Sequence, residues 1–162
     1  MAAEGKGYEP HPGEPVLRQL SEIGRVGKKA RQGFYDWPDE PKGEKRLWPG
    51  LAQMFPVAAE QPPQEELIER PLYAQANETA RCLEEGVLRS VADGNVGSIL
   101  GWGFAPFLGG ALQFVNSVGP AHFTQRSREL AAKYGPRFKP AANIVDLARQ
   151  GIFFEQGRPE GG

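Results

Sequence analysis

The chain has 162 residues, with 19 Lys and Arg against 20 Asp and Glu and a formal net charge of −1. That length suits one domain with a modest core, and the balanced charge argues against a dedicated binder of nucleic acid or other polyanions. Cys82 is the single cysteine, so no intramolecular disulfide can form and a reducing cytoplasm is the expected compartment.

Residues 1–14 lack an apolar signal core and are expected to be a disordered lead, as residues 156–162 are expected to be a disordered tail. Pro15 is placed to open a helix that carries Val16, Leu20 and Ile23 and stops at Gly24. Segments 37–43 and 57–63 are connectors rich in Pro, Glu and Gln, which sets a soft boundary near residue 60. A helix around 67–86 follows, with Ile68, Leu72, Ala76, Ala80 and Leu83 as its apolar stripe. Pro71 sits inside it and removes a donor at a cost of roughly 3 kcal/mol, so the helix either begins at Pro71 or kinks there.

Ser90 is placed to cap a helix beginning at Val91, with Asp93 three residues on. Val91, Val96, Ile99 and Leu100 give that helix an apolar side, while Gly94, Gly97 and Gly101 invite close backbone approach. Each of these glycines costs roughly 1 kcal/mol against alanine, and close helix packing is the expected compensation. GWGFAPFLGG (101–110) reads as a turn in which Pro106 biases Ala105 towards extended backbone, and Gly109 and Gly110 let the next helix, 111–118, start sharply. Gly119 and Pro120 then end one helix and start another. That next helix has Phe123, Leu130, Ala131 and Tyr134 on one face, and Arg126, Arg128, Glu129 and Lys133 mostly away from it. Gly135 and Pro136 stop it, and a last helix marked by Ile144, Leu147 and Ala148 ends at Gly151. No segment sustains a period of two. The expected fold class is all-α.

Candidate chemical residues are few. His122 precedes the apolar Phe123 with no Ser, Cys or Asp in a nucleophile arrangement beside it, so a structural histidine is expected rather than a general base. His11 lies in the expected lead, and two histidines and one cysteine far apart offer no zinc spacing. Cys82 is expected to be a small buried hydrophobe. Glu84 and Glu85 point about 100° apart on a helix and gain no acid–base role. No catalytic, cofactor-binding or metal residue is assigned.

Several longer stretches carry a resemblance. IGRVGKKARQGFYDWP (23–38), RLWPGLAQMFP (46–56), YAQANETARCLEEGV (73–87), the glycine-spaced run 83–119 and ELAAKYGPRFKPA (129–141) resemble, in this order, the C-terminal helical region of bacterial 3-hydroxyacyl-CoA dehydrogenases. The multifunctional enzymes of fatty-acid β-oxidation are the nearest in kind. The resemblance covers about residues 15–155. It implies that 15–60 are the end of a first helical repeat plus a linker, and that 61–155 are the second repeat.

In that family a preceding nucleotide-binding domain uses NAD to oxidise L-3-hydroxyacyl-CoA, with a glycine-rich phosphate loop, a catalytic His and a Glu partner. This chain has no GxGxxG after an apolar strand, and GSILGWG (97–103) has the wrong spacing. NAD is therefore expected in the complete enzyme and no cofactor in this chain, whose part would be structure, closure of the acyl-CoA cleft or dimer-like packing. The basic run Arg25–Arg31 offers contact with a coenzyme A phosphate, but a solvated turn complementing a helix C-terminus is the expected role.

The chain departs from the family pattern at three places. Arg31 stands where glycine is usual, and Pro71 where an aliphatic residue is usual. Aligned on Glu78, Glu69 and Arg70 fall where the first repeat has the Asn-Arg pair whose asparagine helps hold the thioester. The arginine is kept and the asparagine is not, so this repeat resembles a structural copy, and the helix with the true asparagine is expected before Met1. Expected partners are a dehydrogenase NAD-binding domain, or a second copy meeting an apolar face of Trp102, Phe104, Phe107, Leu108 and Phe114, too many large side chains for one loop and helix to hide. A stand-alone non-catalytic helical interaction module is the alternative.

Overall fold

The computed structural model describes residues 13–39 and 43–155. Residues 1–12 and 156–162, for which disorder is expected, lie outside this range. Main chain among the described residues is mostly helical, in agreement with the expected class, and it divides into two compact units, Met1–Gln61 and Pro62–Gly162.

The first unit begins with α1 (Glu14–Glu22), so Glu14 is helical rather than part of a lead. Pro15 occupies its first turn, where a missing N–H is harmless, and Gly24 follows with φ 78°. Leu20 is buried, whereas Ile23, expected on the helix's apolar side, is half exposed. A 3₁₀ turn at Lys28–Ala30 ends on Arg31, whose φ of 56° and ψ of 11° are left-handed; among the described residues it is the only non-glycine with positive φ. Two strands of two residues, β1 (Tyr35–Asp36) and β2 (Arg46–Leu47), pair antiparallel. They are too short to leave an alternating pattern in sequence. A five-residue helix, α2 (Gly50–Met54), falls in a segment read only as linker.

In the second unit α3 (Gln64–Glu84) continues through Pro71. The helix does not begin at the proline; it begins seven residues earlier, and Pro71 lies on its exposed side. Its buried face is also rotated from the expected stripe. Tyr73, Ala76, Asn77 and Ala80 face inward, while Ile68 is 55% exposed. An aromatic and an asparagine carry the seam there, and a purely aliphatic count misses both. Asn77 is wholly buried and holds three segments: Nδ2 donates to Ser127 Oγ (3.2 Å) and Phe138 O (3.5 Å), and Oδ1 accepts from Ala141 N (3.2 Å).

α4 (Val91–Trp102), α5 (Ala111–Val118), α6 (Pro120–Tyr134) and α7 (Ala142–Gln150) complete the unit, and α3 packs against all four. At the centre Tyr73 stacks on Phe123, with ring centroids 4.3 Å apart and planes 5° apart. Phe114 meets both edge-on at 5.7 and 6.1 Å, the arrangement the ring quadrupole favours. Leu112, Val115, Leu130, Phe138 and Ile144 close the core around them.

Ser90 Oγ accepts from Asp93 N at 3.1 Å, so α4 starts where its cap implies. Its glycines differ from expectation. A Cβ on Gly94 would lie 2.8 Å from Leu112 Cδ1, but nothing lies within 4 Å of one on Gly97 or Gly101. Close packing explains the first glycine and neither of the others.

The turn after α4 has a specific anchor. α5 has no N-terminal cap of its own; instead Asn95 Oδ1 on α4 accepts from Leu112 N (3.0 Å) and Gln113 N (2.9 Å), and Ser98 Oγ accepts from Ala111 N (3.0 Å). One helix thus satisfies the orphan amides of the next. Gly110, at φ 106°, permits this approach, since a Cβ there would sit 2.5 Å from Asn95 Cα.

Candidate functional site

Three places in the described residues bring chemically capable side chains together. The first is a charge cluster between α3 and α6. Arg126 donates to Glu69 at 2.7 and 2.8 Å, to Glu66 at 3.1 Å and to Glu129 at 3.1 Å. Glu66 is 8% exposed and also accepts from Lys133 (2.8 Å) and from the Tyr134 hydroxyl. Arg70 lies over the Tyr134 ring at 4.1 Å.

These bonds set the protonation states. The Lys133 ammonium, then Tyr134 and Arg126, hold the Glu66 carboxyl down at about 2 against burial, and the Glu66 bond raises Lys133 in return. Arg126 holds Glu129 below its ordinary value and is itself raised, chiefly by Glu69. Burial, helped by the Glu69 charge, pushes the neighbouring Tyr73 phenol up to about 12. Every carboxylate here accepts from a cation, so the cluster binds α6 to α3. Arg126 is thus a cross-helix hub and not a side chain turned away from its helix's packed face.

Glu69 and Arg70, the positions matching the Asn-Arg pair, are both engaged in this cluster. The sequence signal available was an i, i+3 acid pair on α3 opposite basic residues on α6. It appears only once the two helices are known to be neighbours.

The second place is Arg25. Its side chain is 8% exposed, stacks on Trp48 with the guanidinium carbon 4.0 Å from the ring centre, and pairs with Asp36. Nε donates to Gly33 O (2.8 Å) and Nη2 to Tyr35 O (3.3 Å). Neither phosphate contact nor a solvated turn describes this residue; it is the internal staple of its loop. Lys28 and Lys29 are exposed, and Arg31 pairs with Asp39. Beside Arg25 lies a cleft of ≈ 530 Å³ whose apolar wall includes Leu17, Leu20, Val26, Phe34 and Leu47.

The third place is an apolar cleft of ≈ 430 Å³ beside α3 and α4, lined by Gln75, Glu78, Thr79, Cys82, Val87, Leu88 and Trp102. Cys82 is half-buried in its wall rather than enclosed in the core. The Trp102 indole is held by a bond from Nε1 to Gln75 Oε1 at 2.8 Å. Of the five residues expected to form an exposed face, Phe104 and Phe114 are core residues, and Leu108 packs partly against the core. Trp102 (55%) and Phe107 (88%) are exposed. The turn folds Phe104 inward against Phe114 and throws Phe107 outward.

No protein-family model matches the chain.

The remaining candidates are dispersed. His122 is exposed on α6. His11 lies outside the described residues. Glu85 is exposed, while Glu84 accepts from Asn143 N in the first turn of α7, a helix-capping role suited to the positive end of the dipole. Among the described residues no group of three or more His, Cys, Asp or Glu is placed to hold a metal ion, and no helix is long and apolar enough to cross a membrane.

Proposed function

We propose that this chain is the C-terminal helical part of a 3-hydroxyacyl-CoA dehydrogenase, supplying helical packing and cleft closure to a partner that carries NAD, the catalytic His and its Glu. Segment 23–38 carries the assignment. The family motif has a glycine where Arg31 stands, and Arg31 holds the left-handed backbone that glycine adopts without strain. A left-handed backbone at this position is what a glycine there would adopt most easily, which supports the reading. Trp37 N donates back to Arg31 O (2.9 Å) and Gly27 N to Gln32 O (2.8 Å), which closes the loop around that residue.

The apolar wall beside Arg25 supports the same assignment. Leu17 (57%), Val26 (66%) and Leu47 (61%) are large exposed side chains in one small unit, and a partner's helices would cover such a surface. In the complete assembly NAD, held by the partner, would supply the hydride acceptor for the 3-hydroxyl carbon, and the partner's His would take the hydroxyl proton.

The test is NADH formation from 3-hydroxybutyryl-CoA, measured with the chain alone, with a dehydrogenase NAD-binding domain alone, and with both. The assignment predicts no turnover by the chain alone and a rise in the domain's kcat/KM when the chain is added. Saturable micromolar NAD binding by the chain alone, or no effect of the chain on the domain, contradicts it.

A further inference from the structure

We propose that the hollow between the Lys28–Ala30 turn and the chain leading into β2 binds a phosphoryl anion of two or more charges, held by Lys28, Arg31 and Lys45. This site stands apart from the dehydrogenase reading, which gives the chain no ligand of its own. The hollow encloses ≈ 460 Å³, and its wall carries these three cations, Trp37 and one carboxylate, Asp39. Lys28 opens the 3₁₀ turn, Arg31 ends it, and Lys45 directly precedes β2. The fold therefore gathers like charges from separate stretches of chain, which is uphill unless a negative group answers them.

Between α3 and α6 that answer is built in, where Arg126 and Lys133 both meet Glu66 and Arg126 also meets Glu69 and Glu129. Here it is not. Asp36 is taken by Arg25, and Glu44 lines an adjoining hollow. Among the described residues no carboxylate pairs with Lys28 or Lys45, and the Lys45 ammonium lies 4.5 Å over the Tyr35 ring. Three cations against Asp39 leave the wall with a charge of +2. A phosphoryl group balances that; a single carboxylate does not.

The backbone at Arg31 points the same way. Its φ of 56° is the only positive value at a non-glycine among the described residues, a conformation that is costly for an L side chain. Such strain collects at ligand clamps. Within the fold Arg31 gains little by it, because its ion pair is with Asp39, whose side chain is 93% exposed, and exposed pairs contribute little. What the strained position does provide is a guanidinium on the cavity wall, whose planar fork matches two phosphoryl oxygens. An incoming phosphoryl group takes that fork from Asp39, with the two ammonium groups as flanking point charges. The volume leaves room for a second phosphoryl group, so a diphosphate, free or borne on an ester, fits the site.

Calorimetric titration of the full chain with inorganic pyrophosphate at low ionic strength tests this. One saturable site is expected, and amide shifts in a parallel NMR titration should be confined to residues 27–33 and 43–46. Arg31→Gly removes the fork and relieves the left-handed backbone, while Lys45→Gln removes an exposed ammonium. Each should weaken binding about tenfold or more, as loss of one charged hydrogen bond does, with circular dichroism as in the wild type. Lys29→Gln, an exposed cation of the same turn that does not line the hollow, should leave binding unchanged. ADP binding as tightly as pyrophosphate marks an ester-borne diphosphate as the ligand, and a clear preference for pyrophosphate marks the free anion. No saturable binding, equally tight binding of acetate, an unaffected Arg31→Gly variant, or an equal loss in Lys29→Gln each overturns the proposal.

Discussion

In the second unit, Tyr73, Phe114 and Phe123 form a three-ring centre with Leu112, Leu130 and Ile144 wholly buried around it. In the described part of the first unit, Leu20 is the one large apolar side chain that is buried, and an arginine does the organising. Burial of apolar area stabilises the second unit without direction. The first relies on directional bonds from Arg25 to two carbonyls and a carboxylate. A core held by burial tolerates many small changes; a loop held by one cation depends on that residue. The first unit therefore depends on Arg25 more than on a buried apolar core.

The largest expected effect lies where Gly110 passes close to Asn95 of α4. Gly110→Val must place a β-branched side chain at φ 106° and against Asn95. Backbone strain and the clash together should cost about 4 kcal/mol or more in chemical denaturation. Gly5→Val, in a region expected to be a loose lead, should cost almost nothing. Equal losses would mean that the α4–α5 turn is not a structural anchor.

Arg25→Ala should remove about 3 kcal/mol, as expected for charged hydrogen bonds lost from a shielded site, and should do so locally. Fluorescence from Trp48 should shift while amide protection in α3 and α6 stays as in the wild type. Arg25→Lys should not rescue it, because an ammonium cannot stack and fork as the guanidinium does. A global loss of stability would erase the distinction between the units.

Acid should strike the second unit through Glu66. Its folded value of about 2 lies below the ordinary 4.5, so its contribution is complete above about pH 4.5 and is lost as pH falls towards 2. Melting temperature should drop through that window in the wild type, and less steeply in Glu66→Gln. Parallel profiles would show that the cluster does not couple α3 to α6.

The smallest effect should be a gain. Gly97→Ala and Gly101→Ala, open on their outer side, should each stabilise α4 by about 0.5–1 kcal/mol in thermal melts. Gly94→Ala, facing Leu112 at 2.8 Å, should destabilise.

These contrasts also mark where the sequence was informative. Ser90, Pro120, Gly135 and Gly151 punctuate helices by local chemistry that needs no tertiary context, and the helices they bound stand where that chemistry places them. Which of three glycines meets a neighbour depends on α5 crossing Gly94 and leaving Gly97 and Gly101 open, and helical spacing alone cannot express that. Pro71 was ambiguous because its missing bond is tolerable on the exposed side of a long helix held by its other face. Arg25 read as a surface charge because its acceptors, Gly33 O and Tyr35 O, are carbonyls that every residue carries. The Trp102 cleft has no motif, since it joins α3 positions to a turn and to the far end of α4.

The central claim is that the first unit is held by directional bonds around Arg25 while the second has its own core, and native-state hydrogen exchange tests it most directly. The amides of α3, α5 and α6 should exchange only with global unfolding. Those of Gly27, Gly33, Trp37 and Trp48 should exchange at least a hundredfold faster, and should slow when a dehydrogenase NAD-binding domain is added. Equal protection in both units of the isolated chain, or no slowing with that domain, would contradict the account.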